Sequence, residues 1–425
     1  MPSNYCNRKM KILLVNTSER VGGAAIAASR LVRALNNRGE QAKILVRDRQ
    51  TQNPYVEVLP QNRLLLKSKF CAERLKIVLA NGFSRENLWA IDTATHGTDI
   101  TQLECFREAD VIHLGWINQG MLSLRNIRRI IDSGKKIVWT LHDMWPCTGI
   151  CHHAEKCEGW LNGCGDCPKL KNPSPEDLSA TTFRRKAEAY GEGRICFVAC
   201  SHWLADIARR APLLKGCRVE SIPNPIDTDF YTPADKQAAR KRLGLPEKKK
   251  LLLFVAYKAT DTQKGINYLI EATEIIAARR PEWAGRVGVV PVGREASTLK
   301  DAFACDCYPI DYVEDPEKMR DLYRAADLLV MPTLMDNLPN TIVEAASCAL
   351  PCIGFQIGGL PQMVQNGING YLSRYRDSED FARLCMQTLF GDDYERLAKG
   401  ALRVARDTYS EQVVASKYID LYTSM

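Results

Sequence analysis

The chain has 425 residues, 45% hydrophobic and 25% charged, with a formal net charge of +8 and 16 cysteines. These fractions exclude a disordered or fibrous chain, and the length suits two or three domains. No apolar run reaches the roughly 18–20 residues of a membrane-spanning helix, and Met1 to Lys9 lacks the apolar core of a signal peptide, so a cytoplasmic protein is expected. In that compartment sixteen cysteines do not form a disulfide framework. Lys and Arg are dispersed, without a recognition-helix or aromatic-platform motif, so no nucleic-acid partner is expected.

Short apolar runs alternate with helical patterns, the rhythm of parallel sheets covered by helices. In chain order the first strands are Lys11–Asn16, Ala42–Val46, Val111–Trp116, Ile137–Leu141, Phe197–Cys200 and Val219–Ile222. Their runs of Val, Ile and Leu indicate burial on both faces. The rhythm restarts at Leu251–Val255 and continues through Val287–Val292, Tyr308–Ile310, Leu328–Met331 and Cys352–Phe355. The expected organisation is an α/β pair of doubly wound domains, 1–227 and 251–392, joined by a Pro-, Gly- and Lys-containing linker at 228–250. Helices over 393–425 are expected to pack back toward the N-terminal domain. Ligand chemistry is expected in a cleft between the domains, on loops at the carboxyl ends of the strands.

The first strand runs into Gly22-Gly23, then a helix to about Asn37. Paired glycines at such a turn let backbone N–H groups approach an anion; a tight turn that binds nothing is the alternative. His142 ends the fourth strand, where it can donate to a hydroxyl or phosphate or act as acid or base, or bond to neighbouring backbone. The cysteine-rich loop 147–168 follows. Cys151, Cys157, Cys164 and Cys167 have a C-x5-C-x6-C-x2-C spacing that suits a tetrahedral structural zinc, with His152 or His153 able to replace one thiolate. Free thiols packing a loop are the alternative.

In the second half, Lys258 and Lys264-Gly265 follow the first strand and can neutralise a diphosphate as point charges, or be solvated loop lysines. Asp336-Asn337-Leu338-Pro339-Asn340-Thr341, with Glu344 further on, is the most informative segment. Pro339 suits the first turn of a helix, whose free N–H groups around Leu338–Thr341 can cradle a phosphate. Asp336 on the loop and Glu344 in the first two turns can accept sugar and ribose hydroxyls. Acids complementing a helix dipole account for Asp336 as well, and for Glu344 less comfortably.

Together these pieces resemble family 4 glycosyltransferases of the GT-B fold, closest to bacterial enzymes that build colanic-acid-like surface polysaccharides. The resemblance rests on Val21-Gly22-Gly23-Ala24-Ala25, Thr140-Leu141-His142-Asp143, Ser201-His202-Trp203-Leu204, Ile222-Pro223-Asn224-Pro225, Lys264-Gly265, Asp336–Ala345, Gly358-Gly359-Leu360-Pro361 and Asn366–Leu372, in order along nearly the whole chain. It implies retaining transfer from a nucleotide sugar without a catalytic metal. It further implies catalytic roles for His142, Asp336 and Lys264. Lys264 would bind the diphosphate, Glu344 the ribose, and Asp336 with Asn337 the donor sugar and its phosphate; Gly22 and Gly23 would line the phosphate and acceptor side. Two departures stand out: Asp336 replaces the usual first glutamate, and the usual arginine before the lysine is missing, with Lys258 as its substitute.

The family's acceptors are often lipid-linked glycans, which gives 63–79 a use. This segment mixes apolar residues with five cations and one acid and can lie on an anionic membrane at the inner face, or be a plain amphipathic surface helix. A non-catalytic sugar-nucleotide-binding or zinc-dependent scaffold, and a nucleotide-sugar epimerase of the same fold, are the rival readings.

Overall fold

The computed structural model describes residues 9–191 and 193–425. The chain forms two compact units, one of Met1–Pro225 with Val414–Met425 and one of Ile226–Val413.

The first unit contains β1 (Lys11–Ser18), β2 (Gln41–Asp48), β3 (Val56–Val58), β4 (Val111–Leu114), β5 (Lys136–Leu141), β6 (Cys196–Ala199) and β7 (Arg218–Ser221). They lie in the order β3-β2-β1-β4-β5-β6-β7, every pair parallel. Alternate residues feed opposite faces of this sheet. Leu13, Val15, Ile112, Leu114, Trp139 and Phe197 enter one core, whereas Ile12, Leu14, Val111, Val138 and Val198 enter the other. Both faces are therefore dry, as the unbroken apolar runs require. The second core is closed by the end of helix Glu411–Ser424, which supplies Val414, Tyr418 and Tyr422. Buried His113 is satisfied there by Tyr422 Oη at 2.6 Å and Thr140 Oγ1 at 2.7 Å.

The second unit contains β8 (Lys250–Lys258), β9 (Val287–Arg294), β10 (Asp306–Cys307), β11 (Leu328–Met331), β12 (Cys352–Phe355) and β13 (Gly370–Ser373). Their order is β10-β9-β8-β11-β12-β13, again all parallel. In each sheet the strand order reverses beside the first strand, so the loops after β1 and β4, and after β8 and β11, border a topological switch point.

Two domain boundaries differ from the expectation. The stretch 228–250 is no linker: it carries helix Lys236–Leu243 and belongs to the second unit. Its Arg240 is buried, bonded through Nη2 to Asp327 at 2.6 Å, through Nε to the Ala325 carbonyl, and through Nη1 to the carbonyls of Pro246, Glu247 and Lys249. A guanidinium that finds partners for its donors inside the protein fastens the segment that carries it. Likewise 393–413 remains with the second unit, and only Val414 onward joins the first.

Candidate functional site

In the second unit three neighbouring loops meet at Asp336. The loop after β8 ends in a short 3-10 turn, Thr262–Lys264, and Gly265 at φ +79°. A Cβ at Gly265 would lie 1.7 Å from the Pro332 carbonyl oxygen, so only glycine lets this loop rest on the one after β11. Leu334 N–H donates to the Gln263 carbonyl at 2.9 Å, closing the two loops together. The result is Lys264 Nζ at 2.7 Å from Asp336 Oδ2, both partly screened from solvent. The loop after β12 reaches the same point: Gly359 N–H donates to the Asp336 carbonyl, and a Cβ at Gly358 would meet that oxygen at 2.0 Å.

Helix Asn340–Ser347 starts directly after the loop that follows β11, with Pro339 immediately before it and no acid in its first turn. Its N–H end is therefore electropositive. Asn337 and Leu338 are buried at its entrance, and the Thr341 hydroxyl faces the Met331 sulfur at 3.8 Å. Glu344 is buried and accepts a 2.7 Å hydrogen bond from Tyr323 Oη. Lys258 does not join this group; its ammonium is paired with Glu295 at 3.0 Å, both half exposed.

In the first unit, Gly22 at φ +91° opens helix Gly23–Asn37, and a Cβ there would meet nothing within 4 Å. His142 leaves β5 into a pocket lined also by Val15, His113, Gly115, Thr140 and Asn224. Desolvation pushes its imidazole down to about 4 against the opposing charge of Asp143, so it is neutral at pH 7.

Asp143 is held on three sides: Trp145 N–H donates to Oδ1 at 2.8 Å, and Trp116 Nε1 and His152 Nδ1 reach Oδ2 at 3.0 and 2.8 Å. The other nitrogen of His152 lies 3.0 Å from Asp92 Oδ2, and Asp92 is in turn paired with buried Arg74. Burial opposes charge on His152, but the two carboxylates overcome it and push the imidazole up to about 10. His152 is thus an imidazolium with both nitrogens engaged, which removes it as a substitute thiolate for a metal.

Cys151, Cys157, Cys164 and Cys167 line one small cavity with Trp160 and Ser179. Gly149 N–H donates to the Cys164 sulfur and Gly159 N–H to the Cys157 sulfur, at 3.2 and 3.4 Å. No disulfide joins the described cysteines. The thiols share a cavity, but among the described residues no three or more metal-ligating side chains are arranged to hold an ion. The loop is anchored by Lys186, fully buried, which donates to the Trp145 and Thr148 carbonyls and sits 3.3 Å over the Trp145 ring. Asp92, Arg74, Lys186 and Tyr323 escape a reading by motif, because each acts on a partner distant in sequence. Lys186 follows directly on Arg184-Arg185 in helix Leu178–Tyr190, so nothing in the sequence sets it apart from a solvated charge run.

The two units match two family models: residues 21–230 match Glycosyltransferase Family 4, and residues 249–390 match Glycosyl transferases group 1. Each match takes in less than half of the chain, so it is these two segments that are similar to glycosyltransferase models. Its fold, two parallel-sheet Rossmann-like units, is the GT-B fold of solved glycosyltransferases. HepE of Anabaena, crystallised with UDP and glucose, is similar over 98% of this chain and 100% of its own, at 18% identity and TM-score 0.62. WaaG, a glycosyltransferase involved in lipopolysaccharide biosynthesis, covers 97% and 100% at 15% identity and TM-score 0.61. Among curated relatives, the D-inositol 3-phosphate glycosyltransferase of Thermobispora bispora is 31% identical over 218 residues, 48% of this chain and 50% of that protein. The chain spans about half the length of that relative.

Proposed function

We propose that this chain is a glycosyltransferase that takes a sugar from a nucleoside-diphosphate donor and passes it, with retention of configuration, to a lipid-linked glycan in the assembly of a bacterial surface polysaccharide. The observation that carries the reading is Lys264 held 2.7 Å from Asp336 at the carboxyl ends of β8 and β11, beside the N-terminus of helix Asn340–Ser347. Breaking a sugar–diphosphate bond builds negative charge on the leaving phosphate, and a lysine with helix N–H groups is suited to receive it. Glu344, oriented by Tyr323, then accepts from the ribose hydroxyls, and Asp336 with Asn337 from the donor sugar. Neutral His142 serves the sugar as a hydrogen-bonding group rather than a cation, and Gly22, with nothing within 4 Å of its Cβ position, leaves open space beside Gly23 for phosphate or acceptor. In this scheme the departing phosphate takes the acceptor's proton on the same face, and no metal is required.

HepE crystallised with UDP and with UDP-glucose supports a uridine-diphosphate donor. The part played by WaaG in lipopolysaccharide synthesis supports a polysaccharide setting. The curated relatives favour a second acceptor, D-inositol 3-phosphate. The test is nucleoside diphosphate release across UDP-, GDP- and ADP-sugars, with lipid-linked glycan and D-inositol 3-phosphate as separate acceptor arms and NMR of the product anomer. Release that survives Lys264→Ala and Glu344→Ala would sink the enzymatic reading of this site.

For the cysteine loop we propose structural zinc, supported by four thiols around one cavity; because these thiols are not arranged to hold an ion as they stand, binding requires them to close in on it.

A further inference from the structure

Trp116 stands beside the switch point of the first unit, in the loop after β4, and the Gly115 before it lines the pocket that holds His142. Its backbone is tied to the end of β1. The Trp116 N–H donates to Asn16 Oδ1 at 2.7 Å, and its carbonyl accepts from Thr17 N–H at 2.8 Å. A Cβ at Gly115 would lie 2.7 Å from the same Asn16 oxygen, so any larger residue there would disturb this junction.

The side chain is fixed as firmly. Indole Nε1 donates to Asp143 Oδ2 at 3.0 Å, and the His152 imidazolium stacks on the ring with centroids 5.7 Å apart and planes 27° from parallel. His152 is itself bonded to Asp143 and Asp92, and Asp92 to Arg74, so an ionic chain through the interior ends on one aromatic ring. Taking these charges out of water is costly, and the scheme for donor cleavage leaves them unused. What they accomplish is to hold the indole in one orientation.

Trp116 is nonetheless partly exposed. His152 covers one face and Asp143 occupies the N–H, so a ligand meets ring carbon without a free donor. The matching surface is that of a pyranose, whose axial C–H groups form an apolar face while its hydroxyls point to the rim. An acyl chain is a poorer match, because neutral His142 directly precedes Asp143 and would be left without a hydrogen-bonding partner on the ligand. We propose that Trp116 is the platform on which the sugar ring of the acceptor stacks, and that His152 is the residue that positions it. The assignment deepens the transfer reading and rests on it only for calling this sugar the acceptor, since binding of a glycoside to the first unit needs no donor.

The experiment is saturation-transfer NMR of the full chain with the methyl glycosides of glucose, galactose, mannose and N-acetylglucosamine, and with uridine as a contrasting ligand. At least one glycoside is expected to receive saturation, strongest on the C–H protons of one ring face. Trp116→Leu should weaken its binding about tenfold, and Trp116→Phe, which keeps a flat ring, by about threefold. His152→Ala, which frees the indole to turn, should fall between them, and uridine should respond alike in all four proteins. With an active donor, the acceptor KM of Trp116→Leu and of His152→Ala should rise while the donor KM moves by less than about twofold, a split that a merely structural role would not produce. Absence of donor turnover in the unsubstituted chain would defeat the transfer reading, whereas the glycoside titrations judge the platform separately. No saturation of any glycoside, equal binding by Trp116→Leu, or loss of uridine in place of the glycoside overturns the proposal. Should Trp116→Leu fail to fold, the unsubstituted chain labelled with fluorotryptophan is read by fluorine NMR, the Trp116 signal being the one missing from Trp116→Phe. A Trp116 signal that saturating glycoside leaves unshifted counts against stacking.

Discussion

His152 Nδ1 lies 2.8 Å from Asp143 Oδ2, so the residue that follows His142 is bonded to the residue that follows Cys151. The cysteine loop and the end of β5 are thereby one mechanical piece. Because His152 also reaches Asp92, its ring cannot turn without breaking two charge-assisted bonds.

Removing one partner of this buried set strands the others. His152→Ala is expected to cost about 3–5 kcal/mol of stability, the range for an orphaned buried charge. Urea unfolding of the single variants and of the His152→Ala/Asp143→Ala pair checks this. The double variant should lose less than the sum of the two singles, because the pair interaction is removed once.

Two histidines, buried His113 and half-buried His142, make stability acid-sensitive. Burial lowers His113 to about 3 and His142 to about 4, both from an ordinary value of 6.5. Between those values and 6.5 the unfolded chain binds protons that the folded chain does not. Their contribution is therefore fully present above pH 6.5 and is lost as pH falls, at up to about 1.4 kcal/mol per pH unit for each group. Denaturation midpoints at pH 7, 6 and 5 should fall accordingly, and more gently in His142→Asn.

Tyr323→Phe removes the donor to Glu344 without changing the ring. The expected result is a donor KM raised about tenfold, the equivalent of one lost hydrogen bond near 1.4 kcal/mol, with kcat little altered. Lys264→Ala should instead depress kcat, because its charge is needed most as the phosphate departs. Steady-state kinetics with the active donor separates the two.

Gly265→Ala and Gly22→Ala compare close approach with backbone strain alone. At Gly22 the new methyl meets open space, but φ +91° with ψ 161° is a backbone region open essentially to glycine alone, so about 1–3 kcal/mol of strain is expected. At Gly265, in the left-handed helical region, about 1–2 kcal/mol of strain is joined by contact with the Pro332 carbonyl, which forces apart the loops that hold Lys264 and Asp336. Gly265→Ala should lose more stability than Gly22→Ala and should also lose donor turnover, as paired unfolding curves and activity assays will show.

Zinc in the cysteine loop is decided by elemental analysis of protein purified under reducing conditions. One zinc per chain, released by a thiol-directed mercurial with a fall in melting temperature, is expected; substoichiometric metal would leave the four thiols as packing groups.

The apolar runs by themselves determined two parallel α/β sheets. Leu328–Met331 and Cys352–Phe355 are strands over the very residues their pattern marks, since a strand dry on both faces has to be apolar throughout. Edge strands carry no such demand: Val56–Val58 and Gly370–Ser373 had no distinctive run, and where Tyr308–Ile310 was expected the ladder instead spans Asp306–Cys307, with Ile310 making an isolated bridge to Val292. The residue types and spacing of Lys264, Asp336 and Glu344 raise the expectation of a phosphate and hydroxyl site, but the pairing of Lys264 with Asp336 needed loops from separate strands to meet.

Tertiary structure alone decided the charged interior. Arg240 finds Asp327 across 87 positions and turns an apparent linker into part of a domain. His152, which its place beside the cysteines offers as a replacement for one thiolate, instead binds Asp92 across 60 positions and Asp143 across nine. Local pattern reports which residues must leave water, because burial is a property of each side chain. Which charge meets which is set by chain crossings, and those exist only in the folded molecule.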